Sequence, residues 1–142
     1  MVVSNSYGDM MFIKNIIEEG VSSKDKDDIV TECTKLVQVK EAIERMDGVN
    51  KTAVVLQLDE NNLMIVGGGA DNKFVVFAKL GGKDYYMANK FDSKKDFFNI
   101  TVAKKKHKYP SRRCFGIDTV LESAKHFAHR GTLTQVFTWE RV

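Results

Sequence analysis

The sequence has little of what most directly announces a chemistry. Its 142 residues hold one proline, one tryptophan, two cysteines and three histidines. Cys33 and Cys114 lie far apart. They could pair, but they make neither a disulfide framework nor a CxxC metal or redox motif. Without an export signal, reduced thiols are expected. No apolar run approaches the roughly 18 residues that a bilayer span requires. Residues Met1 to Met10 lack a basic region followed by a long apolar stretch. No signal peptide is therefore expected, and the chain is placed in the cytoplasm, away from the membrane.

Catalytic and cofactor signatures are equally scarce. No Ser/His/Asp triad, carboxylate pair or dinucleotide-binding glycine fingerprint can be singled out, although triad members can lie far apart in sequence. His126 and His129 form an HxxH on an expected helix. Zinc needs a third and fourth ligand, and none is near in sequence. Gly67-Gly68-Gly69 is followed by Ala70-Asp71-Asn72-Lys73. It lacks the P-loop spacing and a following helix, so a turn or bulge requiring φ > 0 is expected there. A close backbone approach to a partner could be added to that turn. No cofactor, no metal and no catalysis are expected. An enzyme built around His126 or His129 is the weakest of three functional readings.

What is present is an ordinary globular composition, with 43% hydrophobic and 29% charged residues. Residues 1–142 make one domain by length, and a chain of this size removes roughly 68–70% of its unfolded surface on folding. Charge is uneven along the chain. Residues 1–50 hold six Lys+Arg against ten Asp+Glu, residues 51–100 seven against six, and residues 101–142 nine against three. An acidic and a basic face could follow, or the asymmetry could average out in space.

Periodicity gives the elements. Asp9 to Glu19 reads as a strand or short helix, and Ser22 to Asp28 as a polar loop. Leu36, Val39, Ile43 and Met46 recur at helical spacing, predicting a helix over Lys35 to Met46 with Thr34 as N-cap and Gly48 as its stop. Strands follow at Thr52–Leu58, Leu63–Val66, Phe74–Leu80, Lys83–Ala88 and Phe97–Ala103, with turns at Asn61-Asn62 and Gly81-Gly82. A second helix spans Ile117 to Arg130 with Gly131 after it. Thr134 to Glu140 is a last strand. The predicted fold is α+β: a curved antiparallel sheet of about five to seven strands with two helices on one face.

The densest charge is Lys104-Lys105-Lys106-His107-Lys108 followed by Arg112-Arg113, with Tyr109 and Phe115 interleaved. Such a run can meet phosphates and stack bases. It can equally be a solvated strand end or loop, where lysines guard an edge. A nucleic-acid-binding accessory domain using residues 104–113 is the second functional reading. Direct nucleic-acid binding is disfavoured by the acidic first third. Trp139 reads as core or as an interface anchor. Alternation puts it on one face with Phe137, and Val136 with Thr138 on the other, without saying which is buried.

The order of features from Leu36 to Val142 carries a resemblance. A helix, Asp47-Gly48 and a strand (LVQVKEAIERMDGVNKTAVVLQL) precede LMIVGGGADNKFVVF, KDYYMAN and FFNITVAKKKHKYP. The helix GIDTVLESAKHFAHRG and TQVFTWE close the series. The triple glycine, the Tyr109-Pro110 step, the helix ending at Gly131 and Trp139 are its distinctive points. The chain resembles the immunity-protein family of bacterial polymorphic toxin systems that has an α+β fold and a C-terminal tryptophan and is commonly paired with deaminase-fold toxins. That resemblance implies a non-catalytic inhibitor that occludes the active site of a cognate toxin acting on nucleic acid. A basic toxin would suit an acidic surface at Glu18, Glu19, Asp25, Asp27 and Asp28. Gly68, Asp71, Lys105 and Trp139 complete the expected toxin-binding set. An exposed sheet edge would also allow a homodimer.

Overall fold

In the computed structural model, residues 10–20 and 28–142 are described. They form the predicted α+β arrangement. Strands β1 (Asn15–Glu18), β2 (Ile29–Glu32), β3 (Ala53–Asp59), β4 (Asn62–Gly68), β5 (Phe74–Leu80), β6 (Lys83–Ala88) and β9 (Thr138–Arg141) build one antiparallel sheet in the order β2-β1-β3-β4-β5-β6-β9. Strands β7 (Phe97–Val102) and β8 (Lys105–Pro110) form a separate hairpin. Helices α1 (Leu36–Glu44) and α2 (Ile117–Arg130) pack on each other and on one face of the sheet.

The core lies between helices and sheet. Val39, Ala42 and Ile43 of α1 and Val120, Ala124, Phe127 and Ala128 of α2 meet Ile16, Val54, Leu56, Met64, Val66, Val76 and Met87. Each strand contributes alternate residues, as its period of two requires. Phe12 closes the lower end, edge-on to Phe127 at a centroid distance of 5.6 Å. Gly131 stops α2 at φ 72°, its N–H donating to the Phe127 carbonyl at 2.8 Å. A Cβ there would sit 2.3 Å from the Phe12 ring, so the glycine serves both the left-handed turn and this contact.

Four local expectations shift. Thr34 is not the N-cap of α1. Lys35 holds that position, and the Gln38 side chain reaches back to accept the N–H groups of Thr34 (2.7 Å) and Lys35 (2.9 Å). The helix ends at Glu44, and Gly48 belongs to a turn in which Asp47 Oδ1 accepts the N–H groups of Val49, Asn50 and Lys51. An aspartate serving three donors makes that turn self-sufficient. The last strand is shorter than predicted, because Thr134 to Phe137 turn to let the Thr134 carbonyl accept the Trp139 indole N–H at 2.8 Å. Finally, Ile29–Glu32 is a strand that pairs with β1, although neither the polar loop before it nor its own pattern announces it.

The β7–β8 hairpin covers the sheet face opposite the helices. Gly67 of β4 is where they meet: a Cβ there would lie 2.5 Å from a Val102 methyl. The Phe97–Ala103 segment, expected as one more strand of a meander, thus leaves the main sheet and becomes a second layer.

Candidate protein-binding face

The sheet face away from the helices carries three rows of side chains, read directly from strand register. Nearest the hairpin, Ala53, Gly67 and Val75 are paired across β3, β4 and β5 and buried. The next row crosses all seven strands: Val30, Ile17, Val55, Ile65, Phe77, Tyr86 and Glu140 are successive cross-strand partners. Each of them is half-buried except Val30, which is 60% exposed. The third row, Glu32, Asn15, Gln57, Leu63, Lys79 and Asp84, is mostly polar, with Lys79 Nζ 3.0 Å from Asp84 Oδ1. An apolar stripe thus lies between a polar row on one side and a protein wall on the other.

The wall is the hairpin. By register Phe98 with Tyr109, Ile100 with His107 and Val102 with Lys105 share its inner side. Between that side and the middle row runs an apolar groove of 230 Å³ lined by Ile65, Gly67, Val75, Phe77, Tyr86, Val102 and Tyr109. Tyr86 meets Phe77 edge-on at 5.4 Å and lies 6.2 Å from Tyr109. Burial, and then Tyr86, push the Tyr109 hydroxyl up to about 12, so it stays a neutral donor at any physiological pH. At the far end Arg113 covers the Tyr86 ring at 4.6 Å. Glu140 accepts from both Arg112 (2.9 Å) and Arg113 (2.7 Å). These arginines, Arg112 first, hold its carboxyl below the ordinary value although burial pushes the other way.

The hairpin is pinned at its turn. Ala103 and Lys104 have φ of 50° and 69°, the two left-handed positions of a two-residue hairpin. The Lys104 N–H donates to Thr52 Oγ1 at 2.9 Å, and its ammonium reaches the Asn50 carbonyl. Glu19 lies beneath, accepting the N–H groups of Thr52 and Ala53 and the Thr52 hydroxyl, with Lys104 Nζ at 3.9 Å. Sequence alone could not reveal this tie, which joins residues 33 to 85 positions apart.

The expected site residues fall in different places. Glu18 is only 7% exposed and faces the helix side, its carboxylate held by Arg45 (2.8 Å) and Lys51 (3.3 Å). Burial raises its pKa, but hydrogen bonds and charge from Arg45 and Lys51 outweigh that and leave it below the ordinary value. Neither Glu18 nor Glu19 therefore offers the acidic surface expected of it, because cations of this chain already neutralise both. Asp25 and Asp27 lie outside the described residues. Asp28 is exposed and lines a 330 Å³ hollow with Glu19, Val55 and Lys104. Gly68 and Asp71 come together with Phe98 and Lys106 around a second hollow of 360 Å³. Lys105 is exposed on β8. Trp139 is half-buried, packs on the core with Phe137 and has its indole N–H satisfied internally, while Val136 is turned to solvent.

The remaining candidates are placed as follows. His126 Nε2 lies 2.8 Å from Thr132 Oγ1. Among the described residues no three His, Cys, Asp or Glu side chains converge on a metal position. Both cysteines are free. Cys33 is buried, and burial pushes the Cys114 thiol up to about 11. The described helices are too short or too polar to cross a membrane. The basic run is not a loop: Lys105 to Lys108 are the exposed residues of strand β8. In the sequence the middle row is visible only as alternate apolar positions, Ile17, Val55, Ile65 and Phe77, of separate strands, and pairing alone aligns them. The chain matches no protein-family model, no curated protein and no solved structure.

Proposed function

We propose that this chain is a binding protein, an immunity protein that captures and neutralises a cognate bacterial toxin. The observation that supports binding is the half-exposed apolar row from Val30 to Tyr86, which crosses six strands and carries the groove under the hairpin. Ordinary domains cover such a sheet face or make it polar, and a large apolar patch with a polar rim marks an interaction site. The resemblance of residues 36–142 to immunity proteins supports the choice of a toxin as partner, and a nucleic-acid-targeting deaminase as its class. Inhibition would follow from covering the toxin's active site with this face. A rigid sheet suits that task, because little conformational entropy is lost when it docks.

Co-expression with any toxin domain whose gene neighbours that of this chain tests the reading. Wild type should rescue growth and co-elute with the toxin. Phe77→Asp, which places a carboxylate in the middle row, should abolish rescue while the free protein stays folded. No rescue and no complex by gel filtration would overturn the proposal.

A further inference from the structure

Strand β8 is bonded to β7 along one edge, and among the described residues no strand lies against its other edge. The two-residue turn at Ala103-Lys104 makes Val102 and Lys105 the closing bonded pair. By the antiparallel alternation His107 and Tyr109 are also in bonded pairs, with Ile100 and Phe98. Lys106 and Lys108 fall between them, so their backbone N–H and C=O groups point away from β7. No other backbone group among the described residues takes those up. Lys105 to Lys108 are all exposed. Tyr109, the next inner residue, lines the apolar groove with Ile65, Phe77, Tyr86 and Val102. An open strand edge thus runs beside an apolar trough under a row of positive charge.

The geometry points to β8 as the docking edge for an extended segment of the partner protein that alternates apolar and acidic residues. This deepens the protein-binding reading above and rests on it. A strand added to β8 would bond to the free groups of Lys106 and Lys108. Its side chains would then alternate: one set drops into the groove toward Ile65 and Phe77, and the other stands beside the Lys106 and Lys108 side chains on the hairpin's outer side. Opposite charge is the complementary choice for that outer set. The sign reverses the expectation drawn from the acidic first third, because Glu18 and Glu19 are consumed internally and β8 is not. A polynucleotide fits less well. Arg113 already covers the Tyr86 ring, Phe77 and Tyr109 pack against or beside that ring, and Glu140 holds Arg112 and Arg113, so these rings and cations are engaged within the chain.

The test uses the full chain and two capped peptides, one alternating valine with glutamate and one alternating valine with lysine. The glutamate peptide should bind at least about tenfold more tightly by fluorescence anisotropy. On saturation, amide exchange at Lys106 and Lys108 should slow by about tenfold or more, while Lys105 and His107, already bonded to β7, should not change. The double variant Lys106→Glu/Lys108→Glu keeps the backbone and should reverse the peptide preference. Lys106→Pro removes an outward N–H and should lose binding. If it fails to fold, the double variant still decides. Equal binding of both peptides, or unchanged exchange at Lys106 and Lys108, would overturn the inference. So would the same protection produced by oligothymidine, or by self-association as the protein is concentrated. If these fail while toxin rescue remains sensitive to Phe77→Asp, only the β8 edge is wrong and the immunity reading stands.

Discussion

The two faces of the seven-stranded sheet are finished differently. On one, two helices pack over β1, β3, β4 and β5, and residues such as Val66, Val76 and Met87 are fully buried. On the other, a two-stranded hairpin covers only the end of the strands around Gly67, and the row above it stays half-exposed. Both faces use the same alternation of apolar residues. What separates them is the size of the second layer: the helices carry ten apolar side chains to the core, the hairpin little more than Phe98, Ile100, Val102 and Tyr109. A closed face and a half-open face should therefore respond differently to the same change.

Truncating one phenylalanine on each side should give the largest contrast. Phe127→Ala, on the helix face, should cost about 3–5 kcal/mol in urea unfolding. Phe77→Ala, on the open face, should cost about 1 kcal/mol, since only part of its surface leaves water on folding. Equal losses would mean that the second face is a core. Next in size is Gly67→Val, whose methyls would collide with Val102. A destabilisation of about 1–3 kcal/mol is expected, together with faster amide exchange in β7 and β8 and unchanged exchange in α2. If α2 loosens equally, the hairpin is not an independent layer.

Smaller effects sharpen the same contrast. The turn at Ala103-Lys104 has the left-handed pair of φ values that Gly81-Gly82 adopts without a side chain. Ala103→Gly should raise stability by up to about 1 kcal/mol by removing that strain, an increase in melting temperature that calorimetry can read. Glu18 supplies a pH test on the helix face. Its folded pKa lies below the ordinary 4.5, so its contribution is complete above that value and disappears as pH falls through the depressed one. The urea midpoint should drop below pH 4.5, and the drop should be shallower in Glu18→Gln than in wild type.

Much of this fold is legible in the sequence. The period of Val120, Ala124, Phe127 and Ala128 and the following Gly131 give α2 at both ends, because a helix is specified by residues within a few positions of one another. The glycine pairs and β-branched runs mark β3 to β6 for the same reason. β2 was not legible: four exposed residues have no pattern until β1 pairs with them. Nor was the site. Glu18, Glu19 and Lys105 are equally charged on paper, yet Arg45, Lys51 and Lys104 take up the first two and leave the third to solvent.

Local period and turn chemistry suffice for the α+β class, both helices, the hairpins of the meander and the position of the basic run. The tertiary structure alone decided that Phe97 to Pro110 leaves the sheet to become a second layer, that Trp139 serves the core, and that β8 keeps a free edge beside an apolar trough. Those outcomes depend on which distant residues compete for the same surface, and strand alternation cannot say which of two faces will be covered.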